Sequence, residues 1–305
     1  MTIKVDIILR RYKEEEDEDN NQTTTIINKH EEDFTTLKTL GSGGFGTCYK
    51  AIYKKTQFVC CIKKINRTSK KNAALQSYNA ETKSEFFDFE HQNIVKLIAA
   101  TSIDFNSFDK DLSSLLMVFE YVPGQNLHQL LEDEQEIIDL PRMCRFGQDI
   151  ASALDYVHQK GIIHLDVKPS NIMVTSTDVC KLADFGCSQY LESDPVQSES
   201  LLTGTFAYRA PELHRGLSPT PECDVYAVGI CLWQFWSREM PFGGTNQHVV
   251  IYNVVQNNLR PDFELDHIDT PNETYKELAT QCWSNEPFNR PTLCTVIETL
   301  SSLSS

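Results

Sequence analysis

One stretch of the chain reads His164-Leu165-Asp166-Val167-Lys168-Pro169-Ser170-Asn171, and beyond two short apolar runs comes Asp184-Phe185-Gly186. Asp166 is a carboxylate able to accept the proton of an incoming hydroxyl, and Lys168 is a cation able to neutralise a moving phosphoryl group. Asn171 and Asp184 add the hard oxygen donors that Mg²⁺ takes. An acid, a cation and two metal-type oxygens in this order imply phosphoryl transfer to a hydroxyl. His164 is not required once Asp166 is the base, so it reads as a packed structural histidine. Cys187 reads as a bystander, because nothing near it in the sequence favours a thiolate.

Earlier in the chain, Gly41-Ser42-Gly43-Gly44-Phe45-Gly46 lies between two strand-like segments. Three spaced glycines let a turn fold tightly over phosphate groups without side-chain obstruction. In dinucleotide-binding folds the same spacing opens a helix, whereas Thr47 to Ala51 continues as strand, so a hairpin is expected here. Cys60-Cys61-Ile62-Lys63 then sets a lysine on a strand among apolar neighbours. A buried ammonium there needs anions, and nucleotide phosphates with one carboxylate of the following helix would supply them. Glu81 is the favoured carboxylate and Glu85, one turn on, its rival. Lys64 should face the other way, to solvent.

These residues need a frame. Leu37–Leu40, Cys48–Ile52 and Phe58–Ile65 are rich in β-branched and aromatic residues and are separated by glycine or polar turns, which predicts an antiparallel start. Residues 72–90 have helical potential, and strand character returns over Ile94–Ala99 and Leu115–Tyr121, with 101–114 as loop or hairpin. Met143, Phe146, Ile150, Leu154 and Val157 recur at helical spacing, and Gly161 ends that helix. Two short strands, Ile172–Val174 and Cys180–Ala183, precede a helix from Glu222 to about Trp236. A β-rich first third joined at Pro123-Gly124 to a mostly α remainder predicts two lobes with a cleft between them.

Composition narrows the partners. Net charge is −15, and Glu14 to Asp19 is an unbroken acidic run, so nucleic acid is excluded as a partner and residues 1–33 read as a solvated, disordered tail. No apolar run approaches the roughly 18 residues that span a bilayer. The opening stretch lacks a small-residue cleavage site, and the ten cysteines show no C-x-x-C spacing. Those features disfavour a signal peptide, a disulfide framework and a zinc site, and a cytoplasmic location is expected.

Taken together, the motifs resemble the eukaryotic protein kinase superfamily from about Phe34 to Leu303. Ala210-Pro211-Glu212 matches the end of the activation segment, Asp224 the buried aspartate of the large central helix, and Arg290 the ion-pair partner of Glu212. The resemblance implies an α+β, bilobal protein kinase fold over 34–303. Its antiparallel β-rich N-lobe with one main helix would span 34–121, and its mostly α-helical C-lobe 122–303. It implies ATP and Mg²⁺ as cofactors, with Asp166 and Lys168 catalytic and Asn171 and Asp184 holding the metal. It further implies that the glycine loop, Lys63 and Glu81 serve the nucleotide, Phe119 is the gatekeeper, and the backbones of Glu120 and Val122 bond adenine. Cys61 would lie over the adenine ring, and Cys48 stands where most kinases carry valine.

Lys168 and Thr205 match the serine/threonine branch. Within it, His164-Leu165-Asp166, Asp184-Phe185-Gly186-Cys187-Ser188, Tyr208-Arg209-Ala210-Pro211-Glu212-Leu213, Asn126-Leu127-His128-Gln129, Gln247-His248 and Leu259-Arg260-Pro261 are similar to the Mos family. That resemblance implies a kinase with a protein substrate, a MAP kinase kinase, acting in oocyte meiosis; a monomer is expected. Another kinase of the MAP kinase kinase kinase type and a pseudokinase scaffold are the alternatives. Leu165 occupies the place where many kinases have an arginine that pairs with an activation-loop phosphate, so the segment Asp184–Glu212 is expected to be competent without phosphorylation.

Overall fold

The computed structural model describes residues 6–9, 25–28, 33–44, 46–66, 71–83, 86, 88–101, 115–191 and 204–304. The chain divides into two compact units, one of residues 1–90 and 95–122, the other of residues 91–94 and 123–305. The boundary thus falls one residue later than expected, after Val122, and 91–94 joins the second unit. Ile94 explains the exchange: it bridges Leu182 in parallel, while Leu182 N–H donates to Asn93 O at 2.8 Å.

The first unit contains β1 (Asp6–Leu9), β2 (Thr25–Asn28), β3 (Phe34–Ser42), β4 (Gly46–Tyr53), β5 (Phe58–Ile65), α1 (Lys71–Glu81), β6 (Leu97–Thr101) and β7 (Leu116–Glu120). The strands form one seven-stranded antiparallel sheet in the order β2-β1-β6-β7-β5-β4-β3. Two short isoleucine-rich strands therefore lie inside the segment that composition presents as an unstructured tail. The acidic run Glu14–Asp19 lies outside the described residues. Central β6 is buried throughout, whereas edge strand β3 buries only Phe34 and carries two register shifts, which blunt it against further pairing.

Alternation sets the faces. In β5, Cys60 and Ile62 join Phe34, Ala51, Ile98, Ala99, Leu116 and Val118 in a core, and Cys61 and Lys63 point the other way. Helix α1 packs through Ala74, Ser77, Tyr78 and Glu81, one helical stripe, and the Tyr78 hydroxyl donates to Thr101 O at 2.5 Å. The helix stops at Glu81, earlier than the residue-90 limit suggested by polarity alone.

The second unit holds β8 (Gly124–Asn126), α2 (Leu127–Glu132), α3 (Leu140–Gln159), β9 (Ile162–Ile163), β10 (Ile172–Thr175), β11 (Cys180–Leu182), β12 (Gln189–Tyr190), α4 (Pro211–His214), α5 (Glu222–Ser237), α6 (Gln247–Gln256), α7 (Glu273–Cys282) and α8 (Leu293–Leu303). Asn126 and Gln129 form a reciprocal capping box on α2, and Asp139 caps α3 by accepting from Arg142 N–H. All five periodic apolar residues of α3 are buried, and Gly161, at φ 72°, takes the chain out of the helix. Gly147 lets α8 approach closely, since a Cβ there would sit 2.6 Å from Leu300 Cδ1. Helix α5 is buried almost all round, the pattern of a central core helix.

Two strand pairings organise the chemistry-bearing loops. Strands β10 and β11 form one antiparallel pair and β9 and β12 another. Loop 164–171 runs from β9 to β10 and loop 183–188 from β11 to β12, so the pairings bring the two loops side by side.

Candidate active site

In the first unit, Lys63 and Glu81 are both buried, and Lys63 Nζ lies 2.5 Å from Glu81 Oε1. The helix boundary produces this pairing, because Glu81 is the last residue of α1 and its stripe faces the sheet. Glu85 lies outside the described residues. Lys64, on the opposite face, sets its ammonium 5.3 Å over the Tyr49 ring.

The glycine segment is the connection between β3 and β4. Gly41 and Ser42 finish β3, Gly43 and Gly44 turn, and Gly46 begins β4; Phe45 lies outside the described residues. Gly43 N–H donates to Gly46 O at 2.8 Å, closing the turn. Gly46 cannot carry a side chain without displacement, because its Cβ would stand 2.7 Å from Lys64 O and 3.3 Å from Lys63 Cγ. Asn66, not singled out by the sequence, donates Nδ2–H to Gly43 O at 3.0 Å and accepts from Thr47 Oγ1 at 2.9 Å.

Cys48 and Cys61 are half-buried cysteines, neither in a disulfide, on adjacent strands, Cys48 opposite Lys63 and Cys61 opposite Lys50. A hydrogen bond to Cys48, together with burial, pushes the Cys61 thiol well above its ordinary range. Phe119 stands opposite Cys61 in the β5–β7 pair. Glu120 N–H donates to Lys96 O at 3.0 Å, its side chain accepts from Lys96 N–H at 2.9 Å, and Val122 is buried.

In the second unit Asp166 is the centre of a compact network. Its Oδ2 accepts from Lys168 Nζ at 2.6 Å and Asn171 Nδ2 at 2.8 Å. Its Oδ1 accepts from Thr205 N at 2.9 Å and Thr205 Oγ1 at 3.1 Å. Lys168 also donates to Thr205 Oγ1 at 2.6 Å, so Thr205 ties base and cation together. Thr205 can come this close because the preceding Gly204 has φ 93° and no side chain; a Cβ would lie 2.7 Å from Leu165 O.

Leu165 itself has φ 66°, a conformation that leucine rarely adopts. Asp224 offsets the strain by accepting from Leu165 N–H through Oδ1 and His164 N–H through Oδ2, both at 2.8 Å. His158 Nε2 adds a third contact to Oδ2 at 2.8 Å. Burial alone would raise the Asp224 carboxyl, but the hydrogen bond and charge of His158, with His164, hold it below its ordinary range. The His164 ring accepts from Asp166 N–H at Nδ1 and meets Ala183 O through Nε2 at 3.1 Å, which fixes the Nε2–H tautomer. It packs edge-on against Phe185 at 4.7 Å, so His164 is a fully buried brace between the two loops.

Asn171 spends its amide hydrogens on Asp166, on O at 2.9 Å as well as Oδ2, which turns its carbonyl oxygen the other way. Asp184, left-handed at φ 62°, supplies a carboxylate just past β11. The donor set is therefore a carboxylate oxygen and an amide oxygen, the hard ligands suited to Mg²⁺. A small cavity is lined by Leu165, Thr205, Tyr208, Arg209, Leu213 and Asp224 among others, so a buried guanidinium shares the space beside Leu165. Cys187 is half-buried.

The protein kinase domain model matches residues 34–300. The chain is 41% identical over 271 residues to the serine/threonine-protein kinase mos of Patiria pectinifera, covering 87% of this chain and 74% of that protein. It is 36% identical over 276 residues to the proto-oncogene serine/threonine-protein kinase mos of Sus scrofa, covering 85% and 78%. Against the serine/threonine-protein kinase mos of Gallus gallus it is 33% identical over 287 residues, covering 88% and 80%. With a kinase model matching almost the whole chain and relatives of this kind along most of it, the chain belongs to the protein kinase family, within its Mos group of serine/threonine kinases.

Proposed function

We propose that the chain transfers the γ-phosphoryl group of ATP to a serine or threonine hydroxyl of a MAP kinase kinase, as a cytoplasmic monomer acting in oocyte meiosis. The observation that carries the chemistry is the saturation of Asp166. Four donors occupy its two oxygens, which fixes the orientation of the carboxylate. The longest of those contacts, from the Thr205 hydroxyl, is the one an incoming substrate hydroxyl replaces, and Asp166 Oδ1 then accepts its proton. Lys168, already held 2.6 Å from the base, is placed to meet the charge of the transferring group.

Lys63, paired with Glu81, offers its ammonium to the nucleotide phosphates, and the glycine segment offers backbone N–H groups. Asn171 and Asp184 would hold Mg²⁺, which when bound neutralises charge on the phosphate oxygens. The MAP kinase kinase substrate and the meiotic role rest on the likeness to Mos proteins.

Purified protein with labelled ATP and a kinase-dead MAP kinase kinase tests the reading. Labelling of that substrate, abolished by Asp184→Asn, is the expected result. Labelling of other proteins alone would overturn the substrate assignment, and labelling that persists in Asp184→Asn would overturn the catalytic one.

A further inference from the structure

Resting on the nucleotide reading above, we infer that Asn66 is a positioning residue: its side-chain amide latches the glycine segment to the end of the strand that carries Lys63. Four polar groups form one directed chain. Gly43 O can only accept, so the amide face toward it, at 3.0 Å, is the NH₂, and Asn66 Oδ1 is the end that accepts the Thr47 hydroxyl at 2.9 Å. Thr47 has a single hydroxyl proton, spent on Asn66, so the 3.0 Å contact between Ser42 Oγ and Thr47 Oγ1 runs from Ser42 to Thr47. The order is Ser42 to Thr47, Thr47 to Asn66, Asn66 to Gly43.

The latch closes where glycine backbone is otherwise least constrained. Gly43 and Gly44 have no side chains to pack, and a Cβ at Gly41 or Gly44 would meet nothing within 4 Å. Below the turn, Gly46 lies so close to Lys63 and Lys64 that the exit from the loop is pinned against β5. Asn66 pins the tip to the same strand, three residues beyond Lys63. The loop amides and the lysine ammonium, which engage adjoining phosphates, are thereby held at one spacing. Without the latch the glycine turn samples more conformations, and nucleotide binding must order it.

The consequence falls on nucleotide affinity rather than on the phosphoryl step. In the ligand-free protein, Asn66→Ala should speed amide exchange in the peptide covering residues 43–47 by about five- to tenfold, the loss of one or two ordinary hydrogen bonds. The ATP KM and the ADP Kd should rise by a similar factor, with kcat at saturating ATP held within about twofold. Thr47→Val, which keeps strand propensity and removes the hydroxyl, should show part of the effect, Thr47→Ser none, and the double variant Asn66→Ala/Thr47→Val no more than Asn66→Ala alone. Wild-type exchange in Asn66→Ala, or an equal fall in kcat with unchanged KM, would overturn the latch. If the wild-type chain binds no ATP, the nucleotide reading fails, and the exchange measurement still decides whether Asn66 holds the loop.

Discussion

Arg290 and Glu212, 78 residues apart in the chain, meet as a buried two-pronged ion pair, Nη1 to Oε1 at 2.5 Å and Nη2 to Oε2 at 2.8 Å. Arg290 Nη1 also donates to Glu222 O at 2.9 Å, and Cys223 Sγ donates to Glu212 Oε1 at 3.3 Å, so the pair fastens α4 to the first turn of α5. Removing one partner strands the other charge in the interior. Arg290→Ala should lower unfolding stability by about 3–5 kcal/mol, a large share of a domain's total, measured by urea denaturation.

The same pair gives a pH dependence whose sign can be worked out. Burial alone would raise the Glu212 carboxyl, but the hydrogen bonds and charge of Arg290 outweigh it and hold it below its ordinary value. A carboxyl depressed in the folded state stabilises fully above its unfolded value, about 4.3, and the contribution fades as pH falls through the folded value. Thermal melts from pH 7 to pH 3 should show a Tm decline that is shallower in Glu212→Gln, on a lower baseline. Parallel slopes in the two proteins would refute the linkage.

Thr205 is expected to matter to the rate through Asp166 and Lys168. Its hydroxyl accepts from Lys168 Nζ at 2.6 Å and donates to Asp166 Oδ1 at 3.1 Å, while its backbone N–H makes a separate bond to Oδ1. Thr205→Val keeps the backbone bond and removes the acceptor that fixes the ammonium. Steady-state assays should find kcat reduced about tenfold or more, with Thr205→Ser close to wild type. A valine variant as fast as wild type would show that Lys168 needs no such anchor.

How far the chain could be read from its sequence depended on whether the deciding interaction was local. Strand β5 runs from Phe58 to Ile65 as its residue types suggest, and the α3 stripe is buried at each periodic position. Asp166, Lys168 and Asn171 meet because they share one loop held between short strands, and Lys63 reaches Glu81 from within β5 by strand alternation, so both contacts follow local patterns. Ile94 misled the reading of β6, which starts at Leu97, because its apolar character is spent on Leu182, a pairing across 88 residues that no local pattern carries. Asn66 gave no signal, since one polar residue after a strand looks like any turn residue. His158 likewise reads as a helix-end histidine until its contact with Asp224 is seen.

Cys61 should be a slow nucleophile despite partial exposure. Its hydrogen bond to Cys48 and its burial both push the thiol up, so little thiolate exists near neutral pH. Mass-spectrometric mapping of N-ethylmaleimide labelling should find Cys61 modified well after Cys294, which is exposed. Cys48→Ala, which removes the hydrogen-bonding partner, should speed labelling of Cys61, and unchanged labelling would show that burial alone protects it. Labelling of wild-type Cys61 as fast as Cys294 would refute the assignment.

Leu165 leads to the last prediction, on how the kinase is switched on. Its backbone is held in place by Asp224 and by the close approach of Gly204, so the conformation that presents Asp166 is set by contacts inside the second unit. A leucine offers no charge to an activation-segment phosphate, and Ser198, Ser200 and Thr203 of that segment lie outside the described residues. One cation does line the cavity beside Leu165: Arg209, buried, with Nη2 3.4 Å from Leu213 O. Its side chain is buried and held on Leu213 O, so reaching a phosphate would mean leaving that contact. The triple variant Ser198→Ala, Ser200→Ala, Thr203→Ala and the phosphatase-treated wild type should therefore both keep activity within about twofold of the untreated wild type, since no charge-assisted bond of the usual strength is lost. A large loss in the triple variant or on phosphatase treatment would overturn phosphate independence, and its disappearance in Arg209→Met would name Arg209 as the cation that reads the phosphate.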